Sequence, residues 1–453
     1  MEFSTKVIEK MAEIMAEEMG NQISNPQDIR EVETGMRELL RKVGAEGLQR
    51  YLEQMDGVVQ PQEKEMDCEC TGKRRYLFRR KAVILSVFGR VSYKRRYYVC
   101  PECGSGMCPL DQRMQLAAGE VTAGLAELLA LAGVETAFAE SSRLVERFLL
   151  FRVSDNTLRK ETERFGELQK AREEEWKRQS QDEAWLQARL QQHGRQAGRL
   201  YGSIDGVMAP CKGEWREMKN IAWYQVEPTR SYEKRRHHAS LVGEQNDLQA
   251  REITYHCDIQ SPDQFGDLFW ATACQRNADL YEELVFVCDG AVWIWKLIER
   301  HFPQAVQIVD WYHASEYLPS IAEAAFGHET PEYLAWLEQA RSLLWEGQID
   351  DLIHDCQSLG SIPAAQKAVH NAVSYFSNNQ KRMDYARFRQ QGYFIGSGTV
   401  ESVGKQIAAL RLKRAGARWT ENGAVATAKA RAAWLSNQWD HLAARRSILP
   451  LAT

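Results

Sequence analysis

The chain has 453 residues, enough for about three domains of ordinary size. Apolar residues make up 44% and charged residues 26%, a globular balance that excludes wholesale disorder. The longest greasy stretch, Leu125 to Val134, contains Glu127 and falls short of the roughly 18 apolar residues that would span a membrane.

The net charge of −4 conceals a segregation. Glu2 to Cys70 holds 16 acidic against 8 basic residues, and Lys73 to Arg96 then holds ten Lys or Arg and no acid. A nucleic acid is bound by local fields, so a polyanionic partner stays open. Met1 to Lys10 has no apolar signal core, and the expected location is cytoplasmic.

Residues 1–65 read as an N-terminal helical region: Val7, Met11, Ile14 and Met15 recur at helical spacing, as do Met36, Leu39, Leu40 and Val43, with a break at Asn25-Pro26. Residues 66–112 change to short alternating stretches around a turn at Phe88-Gly89-Arg90, which predicts a basic β-hairpin. Arg74, Arg75, Arg95 and Arg96 on it are candidate DNA contacts. Cysteines flank the hairpin, Cys68 and Cys70 before it and Cys100 and Cys103 after it. That order resembles a zinc ribbon, in which two thiolate pairs close a tetrahedral structural zinc site. The first pair is C-x-C where two intervening residues are usual, so Cys108 stands as a substitute ligand, and a metal-free hairpin of reduced thiols is the competing reading.

Residues 113–195 return to helix. Phe138 to Phe151, a short connection and a helix capped by Ser154 or Asp155 suggest a helix-turn-helix, whose Asn156, Thr157, Arg159 and Lys160 would face base edges. Glu161 to Arg189, dense in mixed charge, reads as one long solvated helix.

The second half reads as α/β, over residues 196–326 and 391–453, with an all-helical insertion at 327–390. Leu200 to Val207, Glu217 to Val226 and Glu252 to Ile259 are predicted strands, followed by a helix over Pro262 to Tyr281. Two more strands, Leu284 to Gly290 and Ala305 to Asp310, alternate with helices over Ala291 to Phe302 and Tyr312 to Phe326. Three antiparallel-capable strands followed by strand-helix-strand-helix is the order of a ribonuclease H-like sheet.

Asp205 and Asp289 each stand where an apolar strand gives way to glycine, and Glu401 opens a predicted helix after Gly396-Ser397-Gly398. Carboxylates at strand ends face the crevice where α/β sheets bind ligands, and three of them suit a pair of Mg²⁺ (or Mn²⁺) ions acting on a phosphodiester. Taken singly, an Asp-Gly pair is also a turn and Glu401 also a first-turn helix acid. Lys405, Arg411, Lys413 and Arg414 follow on the same expected helix and would track a DNA backbone, with Trp419 either stacking on a base or packing in the core. His237-His238 reads as a polar loop.

With these segments in view, the second half resembles the catalytic domain of bacterial insertion-sequence DDE transposases, in the group related to Mutator-like elements and the ISKra-type family. The segments that carry it are YGSIDG, VFVCDGAVWIWKLIERHFP, VDWYHASEYL and IGSGTVES; the cysteine hairpin with Pro109-Leu110-Asp111 and the SDNTLRK helix also fit. The resemblance implies that Asp205, Asp289 and Glu401 are the metal-binding triad. It also implies that Asp310 and His313 match a short acid-to-histidine motif, which either contacts DNA or fixes a sheet-to-helix corner. The implied protein is a nucleoid-associated enzyme that binds double-stranded element ends and target DNA as a homodimer or higher multimer, hydrolyses a phosphodiester and transfers the strand. The competing readings are a DNA-binding regulator with a silent catalytic fold, and a nuclease or resolvase of the same fold that does not join ends.

Overall fold

The computed structural model describes residues 8–9, 11–13, 15–17, 28–59, 64–117, 119–228, 248–396 and 403–448. Glu401, His237 and His238 lie outside them. The protein is mixed α/β with two sheets and many helices, and divides into two compact units, Met1–Leu168 with Asp440–Thr453, and Gln169–Trp439. No described helix is long and apolar enough to cross a membrane.

In the first unit, α1 (Ile29–Val59) is followed by a four-stranded antiparallel sheet in sequence order: β1 (Glu65–Asp67), β2 (Lys73–Ser86), β3 (Gly89–Val99) and β4 (Gly106–Met107). The β2–β3 hairpin closes at a tight turn in which Ser86 Oγ accepts from the Phe88 amide and donates to the Gly89 carbonyl. Gly89 takes φ +97° there, a conformation in which a side chain would be strained. Near that turn Ala82, Ile84, Val91 and Tyr93 alternate onto one face and pack with Leu52 of α1 and with Leu110 of α2 (Pro109–Met114). Three helices follow, α3 (Ala123–Glu135), α4 (Phe138–Leu149) and α5 (Asp155–Ser180).

The expected long solvated helix over Glu161 to Arg189 is instead two. The first breaks at Ser180, and α6 (Glu183–His193) restarts under an Asp182 cap whose carboxylate accepts from the Ala184 and Trp185 amides. Nor is the first one solvated. Leu158, Phe165, Leu168 and Trp176 are buried at helical spacing, and so are Glu161, Gln169 and Glu173. Polar side chains occupy part of the inward stripe, which disguises it as surface.

The second unit carries a five-stranded sheet in the order β7-β6-β5-β8-β9, from β5 (Gln196–Cys211), β6 (Glu214–Pro228), β7 (Leu248–Asp258), β8 (Tyr281–Cys288) and β9 (Val306–Val309). The first three strands are antiparallel, and β5 with β8 and β8 with β9 are parallel. Between them lie α7 (Pro262–Gln275) and α8 (Val292–His301). The helix expected to run to Tyr281 stops at Gln275, because Asn277 turns left-handed at φ +54° and lets Tyr281 begin a strand. Trp223 stacks on Phe269 at 5.5 Å and meets Phe286 edge-on, fixing α7 to the sheet, while its indole N–H donates to Thr272 Oγ1.

After β9 come α9 (Trp311–Ser315) and α10 (Tyr317–Phe326), then a run of helices: α11 (Pro331–Trp345), α12 (Ile349–Ser358), α13 (Gln366–Asn379) and α14 (Tyr385–Gln390). A π-helical turn, Lys405–Ala409, continues as Leu410–Leu412 and ends there, so residues 413–418 are not on the expected helix. Helices α15 (Glu421–Leu435) and α16 (Trp439–Ile448) are the last elements among the described residues.

Candidate metal and carboxylate sites

The four thiols of Cys68, Cys70, Cys100 and Cys103 gather at the open end of the hairpin. All their sulfurs lie within 4.8 Å of one another, with Cys68 to Cys103 and Cys70 to Cys100 both at 3.6 Å. Zinc–sulfur bonds of about 2.3 Å in a tetrahedron place sulfurs about 3.8 Å apart, so the spacing suits such a cation. Two local turns make it possible despite the short C-x-C pair. The Cys68 amide donates to the Gly72 carbonyl with Thr71 at φ +70°, and the Cys100 amide donates to Ser105 with Gly104 at φ +71°.

Electrostatics point the same way. The Cys70 backbone N–H, with the Ser105 hydroxyl, lowers the Cys68 thiol to about 6. Although the Gly72 amide works to lower Cys70, the sulfurs of Cys103, Cys68 and Cys100 push it up to about 12. Four crowded sulfurs cannot all ionise without a cation among them. Cys108 takes no part: it precedes α2, and burial pushes its thiol up to about 11.

The basic residues of the hairpin divide. Arg75 is exposed and pairs with Glu65 at 3.1 Å, and Arg96 is half-buried beside Asp56. Arg74 is buried and donates to the Asp67 carbonyl. Arg95 is also internal, its guanidinium held by both oxygens of Asp111, which accepts from Tyr93 as well. Arg74 and Arg95, expected at a DNA surface, therefore serve the fold.

At the start of α5 the Thr157 amide donates to Ser154 Oγ, the cap expected from the sequence. Asn156 and Lys160 are exposed, while Arg159 bridges Glu163 at 2.7 Å and the Asn156 side-chain oxygen at 2.9 Å.

In the second unit, Asp205 was expected at a strand end, yet β5 runs on to Cys211 paired with β6, with Asp205 opposite Asn220. What ends is the parallel pairing with β8, whose last partners are Gly202 and Phe286. Asp205 thus stands just beyond the point where β5 parts from β8, and Asp289 follows the last residue of β8. Burial, then the charge of Asp289, raises Asp205 to about 6. Burial also raises Asp289, opposed by the Ala291 amide, which donates to Oδ1 at 2.9 Å, and by the His313 imidazole. Gly404, three residues beyond Glu401, lies against Asp205 so closely that a Cβ there would collide with Oδ2 and with Val207.

Asp310 and His313 have different jobs. Asp310 is buried and caps α9, its Oδ1 accepting from the His313 amide at 3.0 Å. The His313 side chain faces out, its Nδ1 3.5 Å from Glu316, and lines a cleft of about 560 Å³ with Asp289, Tyr317, Asn371 and Tyr375. The Tyr375 hydroxyl donates to the Asp289 carbonyl at 2.7 Å, and its ring covers Gly290 (φ +95°), leaving no space for a Cβ.

Glu217 was not among the expected site residues, yet its charge raises both Asp205 and Asp289 and its carboxylate pairs with buried Lys219 at 2.6 Å. The Glu-x-Lys alternation in β6 was the available signal. Among the described residues, the four cysteines are the only group of three or more ligands gathered tightly enough to hold a metal.

Lys405, Lys413 and Arg414 are exposed, the last two in the loop after Leu412. Arg411 is buried, its guanidinium 5.0 Å over the Trp419 ring, and the Trp419 indole donates to the Leu412 carbonyl. Arg411 and Trp419 therefore pack with each other, and the core reading of Trp419 is the one realised.

Residues 22–203 match the model of a family described as Uncharacterised protein family (UPF0236), less than half of the chain and ending two residues before Asp205. No curated protein matches the chain.

Proposed function

We propose that the protein is a DNA transposase of the DDE type, with a ribonuclease H-like catalytic fold in its second unit. The observation that carries the reading is the pairing of Asp205 and Asp289 where β5 and β8 diverge, each held above the ordinary carboxylate range. Two partly buried, mutually repelling acids at such a crevice are poorly stable as a charged pair, and hard divalent cations offset that repulsion. The donor set therefore fits Mg²⁺ or Mn²⁺, and Asp205, Asp289 and Glu401 are the residues that would hold it. When bound, the metal would supply electrophilic activation of the attacking and leaving oxygens at phosphorus.

The strand order β7-β6-β5-β8-β9, with three antiparallel strands and then two parallel ones, is that of a ribonuclease H-like sheet and supports the fold assignment. The close seat of Gly404 on Asp205 supports Glu401 as the third acid, because Glu401 stands only three residues before Gly404 in the chain. His313 and the polar cleft beside Asp289 would hold DNA next to the reacting phosphate. The zinc-knotted hairpin and the α4–α5 pair would recognise element ends. In this reading the chain hydrolyses a phosphodiester and passes the freed 3′-hydroxyl to target DNA as a multimer on paired ends.

The test is strand transfer on a plasmid carrying the DNA that flanks the gene. Wild type is expected to join ends and leave short target duplications, and Asp289→Asn to lose at least about 100-fold in rate. Equal activity of the two removes the carboxylate mechanism. Cleavage without joined products would identify a nuclease or resolvase, and binding without cleavage a regulator.

A further inference from the structure

The hairpin has a feature that its zinc knot and its arginines do not explain. Tyr76, Leu77 and Phe78 are 43%, 59% and 48% exposed, three consecutive large apolar side chains on the outer half of β2. The ladder slips here: Tyr76 pairs with Tyr98 and Phe78 with Tyr97, so Leu77 has no partner. A β-bulge of this kind re-aims side chains and sharpens local twist. The Phe78 ring lies 5.8 Å from Tyr97, and the Arg80 guanidinium sits 5.0 Å over Tyr97, so the apolar group has a cationic border. Lys73, Arg75, Arg79, Arg80, Lys81 and Lys94 are all exposed on the same two strands; Glu65 pairs with Arg75 and Asp56 lies 3.8 Å from Arg79, while no acid occurs in the run from Lys73 to Arg96 itself.

Exposed apolar side chains cost solvation and mark a contact surface. The charge around them selects the partner: a dense run of cations repels another copy of itself and attracts a polyphosphate. A two-stranded ribbon fits a groove of duplex DNA, and apolar side chains on groove-binding proteins enter between base pairs.

We propose that the bulged outer half of β2–β3 is a DNA wedge, in which Leu77 and Phe78 insert at a base step and unstack it while Arg79 and Arg80 hold the flanking phosphates. The inference rests on the DNA-binding half of the proposed function and adds a distortion of the duplex that the carboxylate chemistry does not require.

The experiment uses the full chain and a short duplex carrying 2-aminopurine beside a central TA step, a step that unstacks readily. Wild type should raise the 2-aminopurine fluorescence at least about threefold on binding. The double variant Leu77→Ala, Phe78→Ala should bind the duplex and lose that rise. Arg79→Gln with Arg80→Gln should instead reduce the salt slope of binding by about 1.8. Metal content equal to wild type verifies the fold of each variant, and Leu77→Ser alone, at a well-exposed position, replaces the double variant if that fails to fold. An undiminished fluorescence rise in the apolar variants overturns the wedge, as does a wild type that binds no duplex. A change of oligomeric state with unchanged duplex unstacking also overturns it and makes the patch a protein contact. Loss of the wedge with intact strand transfer leaves the proposed function standing, so the two failures are distinguishable.

Discussion

Asp205 and Glu173 are both partly or wholly buried acids, yet their neighbours drive them in opposite directions. Asp205 is raised to about 6 by burial and by Asp289. Burial also works to raise Glu173, but Lys429 at 2.5 Å and His256 hold it down at about 2. The consequences for stability have opposite signs. The folded protein binds a proton at Asp205 more tightly than the unfolded chain does, so this group destabilises the metal-free protein progressively as pH rises from about 4 to about 6. Glu173 contributes stability that is present above its unfolded value and lost as pH falls toward about 2. Asp205→Asn is therefore expected to stabilise the metal-free protein at pH 7 by about 1–2 kcal/mol and to leave it unchanged near pH 4. Urea unfolding at the two pH values, with chelator present, measures both; a destabilised variant at pH 7 would mean that the carboxylate is not under strain.

At the scale of an element, the hairpin depends on its cysteine knot. Wild type is expected to carry one zinc per chain, and Cys100→Ser with Cys103→Ser to carry less than about a tenth of that, read by metal analysis after dialysis. A metal-free wild type would remove the zinc assignment. The knot was legible in the sequence because cysteine spacing is a covalent fact. The competing Cys108 was excluded only by three-dimensional placement, in a buried site beside Asp111. The fates of Arg74, Arg95 and Arg411 were illegible for a related reason. Charge density predicts a basic surface on average, but an arginine turns inward wherever a carbonyl, a carboxylate or an aromatic face receives it, and those receivers lie far away in sequence. The strands β5 to β9 were legible from their apolar runs, and Asp289 from the Asp-Gly that follows β8; the extension of β5 to Cys211 was not, because antiparallel β6, and at Cys211 a bridge to Trp419, supply its pairing there.

On the scale of the whole molecule, the second unit contains an ion cluster that composition does not reveal. Lys429 of α15 reaches Glu173 of α5, Asp258 of β7 at 3.0 Å and the Cys257 carbonyl at 2.8 Å, and His256 leans on Glu173. Two helices and an edge strand of the sheet are thereby tied through one ammonium. Lys429→Met would leave two carboxylates buried without their cation and is expected to cost about 3–5 kcal/mol, measured by denaturant unfolding. A loss below about 1 kcal/mol would show that water or protonation compensates. The global net charge of −4 is uninformative beside such local arrangements, as it is beside the acid-free run of Lys73 to Arg96.

The hairpin is secured differently at its two ends. Near Gly89 it rests on Leu52, Leu110 and its own Ile84 and Val91, and α1 continues along β3 through Glu53 and Asp56, whose carboxylates accept from the Lys94 and Arg96 amides. Beyond Arg96 its closure falls to short strands and four sulfurs. Chelation or thiol oxidation should consequently fray the ribbon from its cysteine tip inward and stop near the α1 carboxylates, rather than melt the first unit. Such a limb could be loosened and re-knotted by redox or metal supply without sacrificing the body that bears it.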